Sequence, residues 1–175
     1  MLVEVRVQSL GMDRITNHPV VVLKEVDGDR VLPIWIGPSE ASAIATQLAG
    51  VPLSRPFTHD LLVEIVKLLG GAVHRAVITR VIDGTYFAEL IVDRNGDTLS
   101  IDARPSDSIA IALRTDATIL ADDSLLEERE QEEVGELGEE AIGGDLSDSK
   151  VEMDPEELKA HLQKLDPEDF GRFNP

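Results

Sequence analysis

Hydrophobic and polar positions alternate from the start of the chain. Val3, Val5 and Val7 lie between Glu4, Arg6 and Gln8, which predicts a half-buried strand over residues 2–9. A polar loop through 11–18 follows, and 20–26 and 30–36 then read as a hairpin turning at Asp27-Gly28. Further along, 73–82, 86–92 and 98–101 read as three more strands joined at Asp83-Gly84 and Asn95-Gly96. Such dipeptides supply the left-handed backbone of a tight hairpin. Residues 118–120 are a short apolar piece with the composition of a last strand.

Three stretches change to helical spacing. Gly37 and Pro38 open the first, whose alanines and serines to about Ala49 suit close packing on a sheet before Gly50 ends it. Thr58 reads as the N-cap of the second, with Phe57 and Leu62 placed as a hydrophobic staple. Leu61, Ile65, Leu68 and Leu69 form its apolar stripe, and Gly70-Gly71 stops it. Pro105 opens the third, where Ile109, Ala112 and Leu113 recur down to about Arg114.

The first and third of these stretches resemble each other. Residues 34–45 read IWIGPSEASAIA and residues 101–112 read IDARPSDSIAIA, with Pro38 answering Pro105 and Glu40 answering Asp107. Each follows a strand pair closed at a glycine turn. The period is too long for a solenoid and occurs only twice, so the pattern predicts a duplicated β-β-β-α unit inside one domain.

Charge divides the chain. Residues 1–120 carry 15 acidic and 11 basic side chains, whereas 121–175 carry 19 acidic and 5 basic. The net charge of −18 therefore belongs mainly to the C-terminal part. The expected organisation is a domain over 1–126, an acidic and largely disordered linker over 127–153, and a short helix with its tail over 154–175. In that last part Asp154 caps, Pro155 takes the first position, and Leu158, Leu162 and Leu165 make a stripe too narrow to be stable alone. There is no cysteine, hence no disulfide framework or thiolate metal site. No apolar run nears the roughly 20 residues that span a bilayer, and the N-terminus lacks the zones of a signal peptide. A cytoplasmic protein with no membrane contact is expected. The mild acidity of residues 1–120 counts against tight, metal-free nucleic-acid binding. The acidic tail reads either as a solubilising extension or as an autoinhibitory mimic of a phosphate backbone.

Candidate chemistry gathers at two helix starts. Asp102, Arg104 and Asp107 crowd around Pro105, and Arg55, His59 and Asp60 surround the start of the middle helix. These residues also read as capped helices with surface ion pairs. A phosphodiesterase needs such parts: Asp60, Asp102, Asp107 and Glu40 as ligands for Mg²⁺ or Mn²⁺, and Arg55 and Arg104 for phosphate. His59, Asp60 and Asp107 are the candidate catalytic groups. Other chemistries lack their residues. No glycine loop of phosphate-cradling spacing is present, Ser39 and Ser106 read as caps, and the four histidines have no zinc spacing. Trp35 and Tyr86 are too few for a base-stacking platform and read as core or interface residues.

RPFTHDLL (55–62) and IDARPSDSIAIALR (101–114) resemble the bifunctional nuclease (BFN) domain family. The opening strand and WIGPSEASAIA (35–45) fit the same pattern, so the resemblance covers residues 1–126. The tail resembles bacterial members that end in an acidic linker, a short helix and a Pro-Glu-Asp-Phe element, here Pro167 to Phe170. The resemblance implies an α+β domain: a barrel-like mixed β-sheet of two related β3-α2 units, with an acidic flexible C-terminal tail ending in a short helix. It also implies nuclease activity on RNA and DNA. The site residues above come from chemistry at the matching motifs. Two functions follow: a metal-assisted nuclease of low sequence specificity, or a non-enzymatic regulatory or binding module for a small anion or a protein partner. A homodimer is the expected assembly.

Overall fold

The protein is represented by a computed structural model that describes residues 1–13, 15–52 and 54–128. The linker expected from 127 onwards, beyond its first two residues, and the helix expected over 154–175 lie outside the described residues.

Two antiparallel meanders frame the domain. Strands β1 (Leu2–Met12), β2 (Pro19–Glu25) and β3 (Val31–Trp35) form the first, and β4 (Gly71–Ile82), β5 (Thr85–Arg94) and β6 (Asp97–Ala103) form the second. Between them lie helices α1 (Pro38–Leu48) and α2 (Thr58–Leu68). After β6 come α3 (Pro105–Thr115), β7 (Thr118–Asp122) and a 3-10 turn at Asp123–Leu125. The tight turns have the expected chemistry: Asp83 and Gly84, and Asn95 and Gly96, all take positive φ, as a hairpin twisted in the right-handed sense requires. Strand β1 outruns its predicted end because its second half, past an irregularity between Val7 and Ser9, pairs with the start of β2.

All seven strands form one mixed sheet in the order β3-β2-β1-β7-β4-β5-β6. The short last strand is therefore its centre, antiparallel to β1 and parallel to β4. This corrects the barrel-like expectation, because β3 and β6 end the sheet at opposite sides and do not pair. Helix α3 packs against β4, β5 and β7. It is buried at Pro105, Ser106 and every position from Ser108 to Ala112, and it shares a core with Val21, Leu23, Ile44 and Ile78. Edge strand β3 is also blunted, by Pro33 within it and by a bridge from Val31 to Glu127.

The two look-alike stretches follow the same local path. Pro38 and Pro105 each take the first position of an 11-residue helix, after an extended residue, Gly37 or Arg104, with no side-chain cap. Ser39 and Ser106 therefore do not cap; Ser39 donates to Glu40 Oε2 at 3.1 Å, and Ser106 is buried. The second meander is followed by one helix instead of the two implied for each unit, since the chain enters β7 directly.

Helix α2 departs most from the pattern. Its leucine stripe faces outward, with Leu61, Ile65, Leu68 and Leu69 exposed, and its inward residue is Val63. Its N-cap is Phe57 in place of Thr58, so the Phe57–Leu62 staple does not form at the expected positions.

Ser108 Oγ is fully buried and has no hydrogen-bond partner among the described residues. An unmet hydroxyl costs stability in an apolar core. Ser108→Ala should therefore stabilise the domain by about 1 kcal/mol, raising the thermal midpoint by a few degrees. A lower midpoint would show that the hydroxyl has a partner in solution.

Candidate active site

The first turns of the three helices line one open cleft of about 330 Å³. Helix α1 contributes Ser39 and Glu40, with Ser42 and Ala43 behind them; α2 contributes Thr58 and His59, with Phe57 before them; α3 contributes Asp107, with Arg104 before it. First-turn amides have no acceptor within their own helix, and the helix dipole is positive there. Three such ends in one place make a region suited to an anion. Each helix also carries an acid at its third position, Glu40, Asp60 or Asp107.

Arg104 ties two of these acids together. Its Nε donates to Asp107 Oδ2 at 2.7 Å and its Nη2 to Asp107 Oδ1 at 3.1 Å, while Nη1 lies 3.0 Å from Glu40 Oε1. A guanidinium has five N–H donors, and the Arg104 side chain remains 64% exposed, so part of it still faces the cleft. His59 Nε2 lies 3.1 Å from Asp107 Oδ1. Burial raises the Asp107 pKa, but hydrogen bonds from Arg104 and His59 outweigh it and hold the carboxyl below the usual carboxylate range. An ionised Asp107 only accepts, which assigns the proton on His59 to Nε2.

Asp60 has a different task. Its Oδ2 accepts from the Phe57 amide at 2.8 Å, and its Oδ1 accepts from Arg114 Nε at 2.6 Å. Arg114 is only 4% exposed and also donates to Ala110 O in α3 and to Ala43 O in α1. One guanidinium thus joins the three helices. Burial raises the Asp60 pKa, and the Phe57 amide and Arg114 bring it below its ordinary value. The clamp also explains the exposed leucines. Asp60 and Val63 lie one helical turn apart on the same face, so anchoring Asp60 turns Leu61, Ile65 and Leu68 away.

Of the expected site residues, the structure brings together His59, Asp107, Glu40 and Arg104. Asp60 is committed to the clamp. Arg55 is exposed and has no ion-pair or hydrogen-bond partner among the described residues. Asp102 stands on the other face of the sheet: it pairs with Glu89, whereas its neighbours Ile101 and Ala103 pair with the core residues Leu90 and Ala88. Among the described residues no three His, Asp or Glu side chains are grouped to hold a metal ion. The donor set as arranged does not fit Mg²⁺ or Mn²⁺, because Glu40 and Asp107 already share one cation, Arg104. Trp35 is half-exposed, with its ring N–H donated to Asp13 Oδ2 at 2.8 Å. That bond, with the Ile15 and Thr16 amides, lowers the Asp13 pKa to about 2.

Sequence reasoning missed Arg114, Phe57, Ser42 and Thr58. Only Arg114 carried a usable signal, a long cation ending an otherwise apolar helix beside the acid-bearing helix starts. No helix among the described residues is long and apolar enough to cross a membrane.

A family model described as the bifunctional nuclease domain matches residues 21–133. An uncharacterized protein of Mycobacterium tuberculosis is 40% identical over 167 residues, which is 95% of this chain and 97% of that protein. Bifunctional nuclease 1 of Arabidopsis thaliana is 33% identical over 101 residues, 55% of this chain and 31% of the plant protein. Bifunctional nuclease 2 of the same plant is 32% identical over 111 residues, 61% of this chain and 34% of that protein.

Asp60→Asn should weaken the clamp by leaving Arg114 buried without its counter-charge, at a cost of about 3 kcal/mol at pH 7. Because the native carboxyl has a lowered pKa, its contribution is present above about pH 4, the unfolded value, and fades as pH falls through the native one. Urea melts at neutral and acid pH should show the gap between variant and native protein closing below about pH 4. A gap that persists into acid would assign the loss to packing instead of charge.

Proposed function

The chain belongs to the bifunctional nuclease domain family, and from that premise we propose that it is a nuclease whose reaction takes place in the cleft between the three helix starts. The observation that carries the reading is the meeting of a His59–Asp107 pair with Arg104 where three positive helix ends line one opening. A phosphodiester is an anion, and its transition state concentrates charge on the non-bridging oxygens. Arg104 and the first-turn amides would face that charge. Asp107 would hold His59 by Nε2, leaving the other ring nitrogen to take the proton from an attacking hydroxyl or water as the new phosphorus–oxygen bond forms and the bond to the leaving sugar oxygen breaks, that oxygen then taking a proton from the imidazolium or from water. Arg55, exposed and unpaired among the described residues, would meet a phosphate farther along the strand. RNA and DNA are both proposed as substrates, with low sequence specificity.

No step here passes through a metal ion. Binding Mg²⁺ or Mn²⁺ would first require Arg104 to leave Glu40 and Asp107, and the assay below includes that alternative. A second reading, binding of a small anion without catalysis, is favoured by the ion-paired state of Arg104. A fully closed corner would have favoured it further, but the cleft is open.

The test is cleavage of labelled RNA and DNA by the native chain, His59→Ala and Arg104→Gln, each with EDTA, Mg²⁺ or Mn²⁺. Loss of the base should lower kcat by about 10²–10⁴, and loss of the guanidinium should cost about 10²–10³. Activity equal in both variants and the native chain would remove the cleft as the site. Activity abolished by EDTA and restored by metal would replace the metal-free chemistry with a rearranged carboxylate site. Phosphate binding with no cleavage in any condition would establish the second reading.

A further inference from the structure

Phe57 is placed as no other described aromatic residue is. Trp35 is held by its hydrogen bond to Asp13, Phe87 carries the Arg80 guanidinium 4.7 Å above its ring, and Tyr86 packs against the core. Phe57 does none of these and stays 50% exposed, yet it lines the cleft beside Thr58 and His59, with Arg104 and Asp107 also in the lining. An apolar ring left half in water at an open cleft contributes little to folding, since burial is what stabilises such a side chain.

Its backbone is nevertheless fixed. The Phe57 amide donates to Asp60, its carbonyl accepts from the Leu61 amide at 2.9 Å, and Asp60 is held by the buried Arg114. A ring carried on an anchored backbone loses little freedom when a flat ligand settles on it. The charge balance points the same way. With 15 acidic against 11 basic side chains over residues 1–120, the domain has no cationic excess to draw affinity from counterion release. Contacts that do not depend on charge have to supply more of the binding, and base–aromatic stacking is such a contact.

We infer that Phe57 is the stacking wall of a nucleoside subsite, so that the cleft takes an unpaired nucleotide, its base on the Phe57 ring and its phosphate beside Arg104. The inference rests on the nuclease reading above and adds the substrate class: single-stranded nucleic acid. A base inside a duplex has both faces covered by its neighbours and reaches a protein ring only after being unstacked. Phe57 is a binding residue in this scheme, and the proton transfer remains with His59.

The test uses the full chain in EDTA and a short fluorescein-labelled single-stranded DNA, alongside its duplex, with the native protein, Phe57→Leu and Phe57→Trp. Leucine keeps apolar bulk and removes the π-face, so an unchanged thermal midpoint separates loss of stacking from loss of fold. The native chain should bind the single strand more tightly than the duplex. Phe57→Leu should lose about tenfold of single-strand affinity, within the range of one stacked base, and leave duplex affinity unmoved. Phe57→Trp should keep the affinity, and the tenfold gap should persist at high salt, where charge contacts are screened. In cleavage assays KM should rise in Phe57→Leu by a similar factor, with kcat nearly retained. Equal single-strand affinity in native and Phe57→Leu protein, or a native preference for duplex, overturns the subsite. A native chain that cleaves no nucleic acid in any buffer overturns the nuclease reading instead, and the binding measurements still decide the role of Phe57.

Discussion

The contact between Arg114 and Asp60 governs more of this domain than any other. Arg114 comes from the end of α3, yet it reaches α2 through the Asp60 carboxylate and α1 through the Ala43 carbonyl. A guanidinium this buried needs its donors met, and meeting them fixes how the three helices sit against one another. It sets the rotation of α2, which turns Val63 inward and the leucines outward. It also sets the depth at which His59 and Phe57 enter the cleft, because both belong to the turn that Asp60 anchors.

The three helix starts share an electrostatic arrangement. An acid at the third position of a helix is favoured by the dipole, and here Glu40, Asp60 and Asp107 would repel one another if left uncompensated. Arg104 and Arg114 answer them, one exposed and one buried. The two are placed differently. The exposed arginine lines the cleft, whereas the buried one is committed to carbonyls and a carboxylate. The carboxylates that from their chemistry alone suit a divalent ion are therefore held by cations belonging to the chain.

Much of the fold was legible in the sequence because its signals are local. Alternation in β1, the Asp83-Gly84 and Asn95-Gly96 turns, and the prolines that open α1 and α3 all act within a few residues. The failures were non-local. Nothing in the alternation of strands says that residues 118–122 lie at the middle of the sheet, or that the sheet's two edge strands stay unpaired with each other. The stripe on α2 misled because a hydrophobic pattern usually marks the buried face, and an ion pair to a residue 54 positions away overrode it. Charge clustering at two helix starts and one repeat was enough to expect His59, Asp107, Glu40 and Arg104 near one another, and they meet at one cleft. Asp102 was misplaced because adjacent residues of a strand point to opposite faces. Phe57 was read as a staple, a role that depended on an N-cap one residue later than the true one.

The central place of β7 has a consequence for how the chain is made. Leu2 pairs with Asp122, so the first strand, already paired with β2 on one side, finds its second neighbour only when nearly the whole domain exists. Until residues 118–122 emerge during synthesis, β1 and β4 each present an unpaired edge, and the two meanders have no strand in common. Such edges are open to pairing with other chains, and contacts this distant in sequence form slowly. Nascent chains that stop short of β7 would therefore carry two separate, sticky half-sheets, and its five residues turn them into one domain.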